Sequence, residues 1–297
     1  MTSAAKFRPW GNRFIAIDWG TTNRRIYLIE AGAAVSVERD SLGVRAMAGR
    51  GYEEELAVVH KRFGEMPVLL AGMAGSAFGW HETSYIPAPT DLERLASAVH
   101  VIDEQCAIVP GVRFEGSGRA DIMRGEEIQL LGACFAQLTP PTALLCQPGT
   151  HSKWAWMVDG ALSHFVTAMT GELFALLRDH SLLAGQLTGA VAPGPAFRRG
   201  VEEGAKRDLL TSLFGVRAQT MLGLLESDDA TAYASGLLIG AEVAAQALGG
   251  EIAYILAEPT LGGLYIEATK ILGAEAVLID SDAAFVAGMN RIIEVCR

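Results

Sequence analysis

Two short segments of the sequence carry the same chemistry in the same order. Asp18-Trp-Gly-Thr-Thr-Asn-Arg24 and Gln147-Pro-Gly-Thr-His-Ser-Lys153 align so that Gly20 falls on Gly149, Thr21 on Thr150, Asn23 on Ser152 and Arg24 on Lys153. A Gly-Thr turn after an apolar run offers backbone N–H groups and hydroxyls that point the same way, a concavity that binds anions such as phosphate. The residues suited to that task are Gly20, Thr21, Thr22 and Asn23 in the first copy, and Gly149, Thr150, His151, Ser152 and Lys153 in the second. Asp18, at the end of the first apolar run, is placed to orient a magnesium ion through waters, because Mg2+ dehydrates reluctantly. Its competing reading is a carboxylate that caps the turn, and for the two hairpins it is shared turn chemistry.

The apolar patterning supplies the elements that must hold these loops. Residues 14–18, 25–30 and 33–39 read as three antiparallel strands separated by turn residues. A helix over 52–63, a strand over 67–71, a helix over 91–99 and a strand over 107–109 complete a βββαβαβ order. After a helix at 126–136 the order begins again, with strands at 143–146, 154–158 and 162–167. A long, mostly helical stretch from Glu172 to Leu248 follows, interrupted at Pro193-Gly-Pro195. A strand at 252–256, a helix at 261–272, a strand at 276–279 and a helix at 282–296 close the chain. The expectation is an α/β protein made of two copies of one unit facing across a cleft, the second with a helical insertion.

Composition fits this picture. The chain has 297 residues, 50% hydrophobic and 20% charged, with a mean hydropathy of +0.26; that length suits two domains and that composition excludes a disordered chain. A net charge of −10, from 34 acidic and 24 basic residues, argues against nucleic acid or an anionic membrane as partner. It leaves room for a small anionic substrate in a locally positive pocket. The most apolar stretch, 233–250, contains Glu242 and Gln246 and reads as a buried helix, not a membrane span. No apolar leader precedes Asp18, and Cys106, Cys134, Cys146 and Cys296 are dispersed like small apolar residues of a reducing compartment. A cytoplasmic enzyme is expected. The Walker A, dinucleotide-fingerprint, serine-elbow and zinc-protease motifs are all absent from the sequence, so phosphate handling by hairpin loops is what remains.

The two loops resemble the phosphate loops of the superfamily that contains actin, hexokinase and the heat-shock chaperone ATPases. Within it the chain is similar, end to end, to the 2-dehydro-3-deoxygalactonokinase family. The runs that carry the resemblance are Ile17 to Arg24, Ala71 to Ser76 with Gly79-Trp80, Met123 to Glu127, Pro148 to Trp154, Met169 to Leu173 and Ser235 to Val243. The resemblance implies two ribonuclease-H-like lobes, each βββαβαβα, around an ATP cleft. Residues 1–125, joined by the returning helix 282–297, would form the N-terminal lobe with the substrate and the first phosphate loop; residues 126–281 would form the C-terminal, nucleotide-binding lobe. It implies ATP-dependent phosphorylation of the 6-hydroxyl of 2-dehydro-3-deoxy-D-galactonate in galactonate catabolism, with ATP and Mg2+ as cofactors.

Residue roles follow from the same resemblance. In related sugar kinases a carboxylate opening the helix into the second lobe accepts the hydroxyl proton. Here Glu126 takes that place, with Glu127 as second choice and Asp18 as the magnesium-orienting carboxylate; many relatives have Asp there, and a first-turn Glu is also favoured by the helix dipole alone. The substrate carboxylate calls for a planar cation, for which Arg24 and Arg124 are the candidates. Gly75 and Ser76 would lend donors to sugar hydroxyls, and Trp80 either walls the pocket or packs in the core. His151 either donates to a phosphate or holds its loop, and Thr170 either borders the cleft or caps a helix. Ala257, Thr260, Gly262 and Gly263 are expected at the adenosine, although Glu258 and Pro259 depart from the small residues usual there. Expected partners are the sugar acid and ATP, with no nucleic acid or membrane and a homodimer as the oligomer considered. The alternative is a non-catalytic nucleotide- or sugar-acid-binding member of the same superfamily.

Overall fold

The computed structural model describes residues 10–116 and 118–296; the nine residues before Trp10, part of the stretch read above as leaderless, lie outside the described residues. The first half comprises β1 (Arg13–Trp19), β2 (Arg24–Glu30), β3 (Ala33–Asp40), α1 (Tyr52–Phe63), β4 (Val68–Gly72), β5 (Tyr85–Pro87), α2 (Leu92–Ser97), β6 (His100–Val101), β7 (Cys106–Ile108), β8 (Gly111–Gly116), β9 (Arg119–Met123) and α3 (Glu126–Phe135). The second half comprises β10 (Ala143–Gln147), β11 (Ser152–Val158), β12 (Ala161–Ala168), α4 (Thr170–His180), α5 (Pro195–Gly204), α6 (Leu209–Met221), α7 (Ser227–Ala245), β13 (Ile252–Leu256), α8 (Pro259–Ile271), β14 (Glu275–Ile279) and α9 (Ser281–Cys296).

The two main sheets repeat one strand order, β3-β2-β1-β4-β7-β6 and β12-β11-β10-β13-β14. In each, a hairpin meander continues into parallel strands, β1 beside β4 in the first and β10 beside β13 in the second. This is the duplicated α/β architecture of the actin and hexokinase superfamily. Parallel pairing sets Asp18 opposite Ala71 and Trp19 opposite Gly72, which brings the segment after β4 to the first Gly-Thr loop.

The structure goes beyond the sequence reading and in part differs from it. A third sheet, β5-β8-β9, lies in stretches to which the sequence reading gave no element. Its strands are short, β5 holds a proline and β9 opens on Arg-Ala-Asp, so neither alternation nor an apolar run announces them; pairing, not intrinsic pattern, makes them strands. The helical stretch is four helices instead of one broken once, because Arg207 and Gly223 adopt positive φ (63° and 69°) after α5 and α6.

The chain divides into two units. One runs up to Thr142 and takes in Met157–Phe165 and the segment from Ser281; the other comprises Ala143–Trp156 and Val166–Asp280. By its contacts α3 groups with the first unit, beyond the division at 125/126 drawn from the sequence, because it crosses α9 at close range. A Cβ on Gly132 would stand 2.0 Å from the Ala284 carbonyl oxygen, and one on Gly288 would stand 2.5 Å from that of Ile128. Buried Ile15, Ile17, Trp19, Val59, Leu70 and Ile108 centre the first core; Trp154, Phe197, Leu237 and Tyr265 centre the second. No helix among the described residues is long and apolar enough to cross a membrane.

The insertion is held by a second close crossing. Gly200 and Gly204 of α5 face Gly236 and Gly240 of α7, and a Cβ on Gly236 would stand 2.1 Å from the Phe197 carbonyl oxygen. Backbone cannot give way as a side chain does, so Gly236→Ala should cost about 1–3 kcal/mol by overpacking. The check is scanning calorimetry, in which the variant's Tm falls by several degrees while its far-ultraviolet dichroism stays that of the parent.

Candidate active site

β1 ends in a knot of carboxylates. Asp18 has a side chain 16% exposed, with the Arg25 guanidinium 3.3 Å away. Gly72 and Gly125 adopt φ of 86° and 112°, and a Cβ on either would stand 3.4 or 3.6 Å from Asp18 Oδ1. Two glycines therefore keep one edge of this carboxylate clear. Burial pushes its pKa up to about 6; Arg25 opposes the rise and the charge of Glu126 adds to it.

The turn into α3 sorts the two glutamates. Glu127 is 0% exposed, and both its oxygens accept the Gly125 N–H at 2.9 and 2.7 Å. Burial, then the charge of Glu126, pushes its pKa up to about 8. It locks the Gly125 turn. Glu126 is only half-buried; its Oε2 accepts the Arg124 N–H at 3.1 Å, and it lies close enough to Asp18 for each charge to feel the other.

The two candidate arginines separate clearly. Arg24 is 2% exposed and already neutralised, with Nη2 2.7 Å from Asp40 Oδ2, Nη1 3.5 Å from Glu55, and the guanidinium 4.9 Å above the Trp19 ring. Its expected place on the substrate is therefore corrected to a strut between β2 and β3. Arg124 is 8% exposed; no carboxylate bonds its guanidinium among the described residues, although its charge is felt by buried Glu127. Arg124 donates to the Thr83 hydroxyl and to the Thr83 carbonyl at 2.9 Å, lies 4.2 Å over the Tyr85 ring, and keeps its Nε buried without a partner. Gly75 makes this approach possible, since a Cβ there would stand 2.9 Å from Arg124 Nη1.

The remaining residues of this unit divide between surface and scaffold. Thr21, Thr22 and Asn23 are exposed, and Gly20, Thr21 and Thr22 turn their carbonyls to the N–H groups of Val44, Arg45 and Gly43. The Ser76 hydroxyl donates to Met73 at 2.7 Å and is spent on its own turn. Trp80 stacks on Tyr52, with centroids 5.7 Å apart and rings 4° from parallel; this is the packing alternative.

In the second unit the Gly-Thr loop is braced from α4. A Cβ on Gly171 would stand 2.3 Å from the Gly149 carbonyl oxygen, and the Glu172 N–H donates to Thr150 at 2.9 Å. His151 Nε2 meets Glu172 Oε2 at 2.5 Å, so the histidine holds the loop. Gly149 and Thr150 keep an open side, whereas Ser152 and Lys153 turn inward. The Ser152 hydroxyl is 2.9 Å from the Tyr265 hydroxyl, and Lys153 Nζ donates to Thr167 at 2.8 Å. Thr170 is the first residue of α4 and bonds Glu242 instead of capping. Gly262 and Gly263 lie inside α8, which Pro259 starts at its first position. Gly263 nevertheless faces open space, and Thr260 is exposed.

Sequence reasoning missed Thr83, Tyr85, Gly72 and Tyr265. Only Gly72 lay within a quoted run. No group of three or more His, Cys, Asp or Glu that could hold a metal ion occurs among the described residues.

Comparison with known proteins places the chain among its relatives. The profile of the 2-keto-3-deoxy-galactonokinase family matches residues 18–292. The 2-dehydro-3-deoxygalactonokinase of Escherichia coli K12 is 34% identical over 288 residues, covering 94% of this chain and 97% of the relative. A crystal structure from Sinorhizobium meliloti, described as a 2-dehydro-3-deoxygalactonokinase, superposes with a TM-score of 0.87 at 34% identity, over 94% of this chain and 97% of the other. The activator of 2-hydroxyisocaproyl-CoA dehydratase from Clostridium difficile, solved with bound ADPNP, shares the fold alone: TM-score 0.53 at 12% identity, over 95% of each chain.

The state of Glu127 is open to measurement. Its carboxyl moves from the ordinary 4.5 up to about 8 in the fold, so the neutral form is the one the fold favours. Its contribution to stability is full below the ordinary value and is lost as pH rises toward 8. Between pH 5 and pH 8.5 the parent should therefore lose stability relative to Glu127→Gln. Thermal unfolding of both proteins across that range gives the answer; parallel profiles would reject it.

Proposed function

The chain belongs to the 2-keto-3-deoxy-galactonokinase family, and from that premise we propose how its residues move the terminal phosphoryl group of ATP to the 6-hydroxyl of 2-dehydro-3-deoxy-D-galactonate. It is a sugar-acid kinase, an enzyme that uses ATP. The observation that carries the assignment of its substrate site is Arg124, a buried guanidinium with an unpartnered Nε and no carboxylate bonded to it. A buried cation without a bonded counter-ion is costly. A substrate carboxylate relieves that cost and receives a planar fork of donors. Two residues further on, Glu126 is the base. It takes the proton of the 6-hydroxyl as that oxygen attacks the γ-phosphorus, while the bond from phosphorus to the bridging oxygen breaks and ADP leaves. Glu127, pushed up to about 8, is mostly protonated at neutral pH and belongs to the turn.

The phosphate contacts are assigned to Gly20, Thr21, Thr22 and Asn23 in one unit and to Gly149 and Thr150 in the other. Ala257, Thr260 and the open side of Gly263 are assigned to the adenosine. The residues fit a magnesium ion: Asp18 is a part-buried carboxylate whose charge burial and Glu126 both disfavour, and glycines keep its edge clear. Asp18 would hold the ion through waters, and the ion would neutralise charge on the phosphate oxygens. A cytoplasmic location fits four free cysteines, and the −10 charge disfavours nucleic acid. A homodimer is retained as the oligomer.

Two variants separate the roles. Glu126→Gln should lower kcat by about 10²–10⁴-fold, the usual worth of a general base, with KM values little changed. Arg124→Ala should raise KM for the sugar acid about tenfold or more, with Arg124→Lys a poor rescue because it lacks the fork. Arg24→Ala should instead lower Tm and leave that KM alone. The assay is ADP release coupled to a dehydrogenase, run with 2-dehydro-3-deoxy-D-galactonate, its gluconate epimer and plain hexoses. Absence of turnover with every sugar acid would return the chain to the binding-protein alternative.

A further inference from the structure

The run from Ser235 to Val243 lies in the middle of α7, and none of its residues has a part in the chemistry above. One of them is a buried carboxylate. Glu242 is 6% exposed, and three donors converge on it. Trp154 Nε1 donates to Oε1 at 2.8 Å and the Tyr265 hydroxyl donates to Oε2 at 2.7 Å; the Thr170 hydroxyl bonds it as well. Ser152 is joined to it through Tyr265, to whose hydroxyl oxygen the Ser152 hydroxyl donates at 2.9 Å. A carboxylate has about four acceptor positions, so most of this one's are filled.

The members of this network come from places that matter to the second Gly-Thr loop. Ser152 directly follows Gly149-Thr150-His151 and opens β11. Thr170 opens α4 and precedes Gly171 and Glu172, the two residues that brace Gly149, Thr150 and His151. Tyr265 lies on α8, less than one turn beyond Gly263. One side chain thus ties the far end of the loop and its brace to the helix that carries the candidate adenosine residues. Core packing alone does not call for such a network, because apolar residues at Glu242 and at its donor positions together would leave no polar group to satisfy.

We propose that Glu242 is a positioning residue for the nucleotide. Through Ser152, Thr170 and Tyr265 it fixes the Gly149-Thr150 loop at a set distance from α8, so that phosphates and adenosine are met together. The inference rests on the reading of that loop as a phosphate site. Preorganisation of this kind acts on ATP and not on the sugar acid, because every residue in the network lies in the unit that holds this loop and α8.

Three variants of the full-length protein test it. Tyr265→Phe removes the joint between Ser152 and Glu242 while keeping the ring. Glu242→Leu removes the hub. Glu242→Gln keeps it, since the amide oxygen can face Trp154, which only donates, and the amide nitrogen can face the Tyr265 hydroxyl. The expected result is a KM for ATP raised about tenfold in Tyr265→Phe, as loosened positioning does, with KM for the sugar acid within about twofold. Glu242→Leu should show the same split or a larger one, and Glu242→Gln should restore most of it. Thr150→Ala serves as the control on the loop itself. A raised KM for ATP in Thr150→Ala with parental values in folded Tyr265→Phe would overturn the positioning role. Parental values in Thr150→Ala would overturn the phosphate-site reading, and the proposal with it. An equal rise in both KM values across the set would mark Glu242 as a general stability element and also overturn it.

Discussion

A guanidinium held out of water with no carboxylate bonded to it constrains much of the first unit. Arg124 is tolerated because Thr83 accepts from it twice and the Tyr85 ring lies over it, contacts that offset only part of its desolvation. Thr83 and Tyr85 stand where they do because β5 pairs with β8 and β8 with β9. The small third sheet is thus the mount of one side chain. Gly75 must be bare for the guanidinium to reach Thr83, and the Gly125 turn, locked by Glu127, sets where the backbone of Arg124 points relative to Glu126. Sequence neighbours become site neighbours through that turn.

The duplicated hairpin shows which part of a repeat is scaffold. The aligned cations Arg24 and Lys153 are both buried, one against Asp40 and the other against Thr167. Each sits at the start of the second strand of its meander and anchors it to the third, so the repeated cation belongs to the sheet in both copies. What stays exposed in both is the Gly-Thr step itself. The copies diverge after it: Asn23 is exposed, whereas Ser152 is drawn into the network around Glu242.

Much of the fold was legible because it rests on local pattern. Helix α1 spans Tyr52–Phe63 as its spacing predicts, and the strands of both meanders fall within a residue or two of their apolar runs. What was not legible depends on partners distant in sequence. β8 and β9 carry no pattern of their own, and α8 starts at Pro259, two residues ahead of the helix read from the sequence. The glutamates and both arginines were singled out by motif. Motif alone does not distinguish Arg24 from Arg124, because the difference lies in Asp40 and Glu55, which meet Arg24 only through sheet pairing and the packing of α1. Tyr265 gave no signal, since a buried tyrosine on an apolar helix is ordinary core until its hydroxyl is followed to its partners.

Net charge and local charge finally have to be reconciled. A chain of −10 that handles two anions must place its cations with care, yet two of the three cations expected at the anions are spent inside the protein. On the proposed reading, the attraction for the sugar acid falls on Arg124, in low dielectric where one charge counts for much. That arrangement also implies discrimination. A neutral hexose offers no carboxylate to the fork and leaves the guanidinium buried without a bonded counter-ion, and sites built around a polar partner reject analogues that lack it by far more than an apolar pocket can. The feature that is costly to the free protein is therefore the one that makes the enzyme select an acid over a sugar.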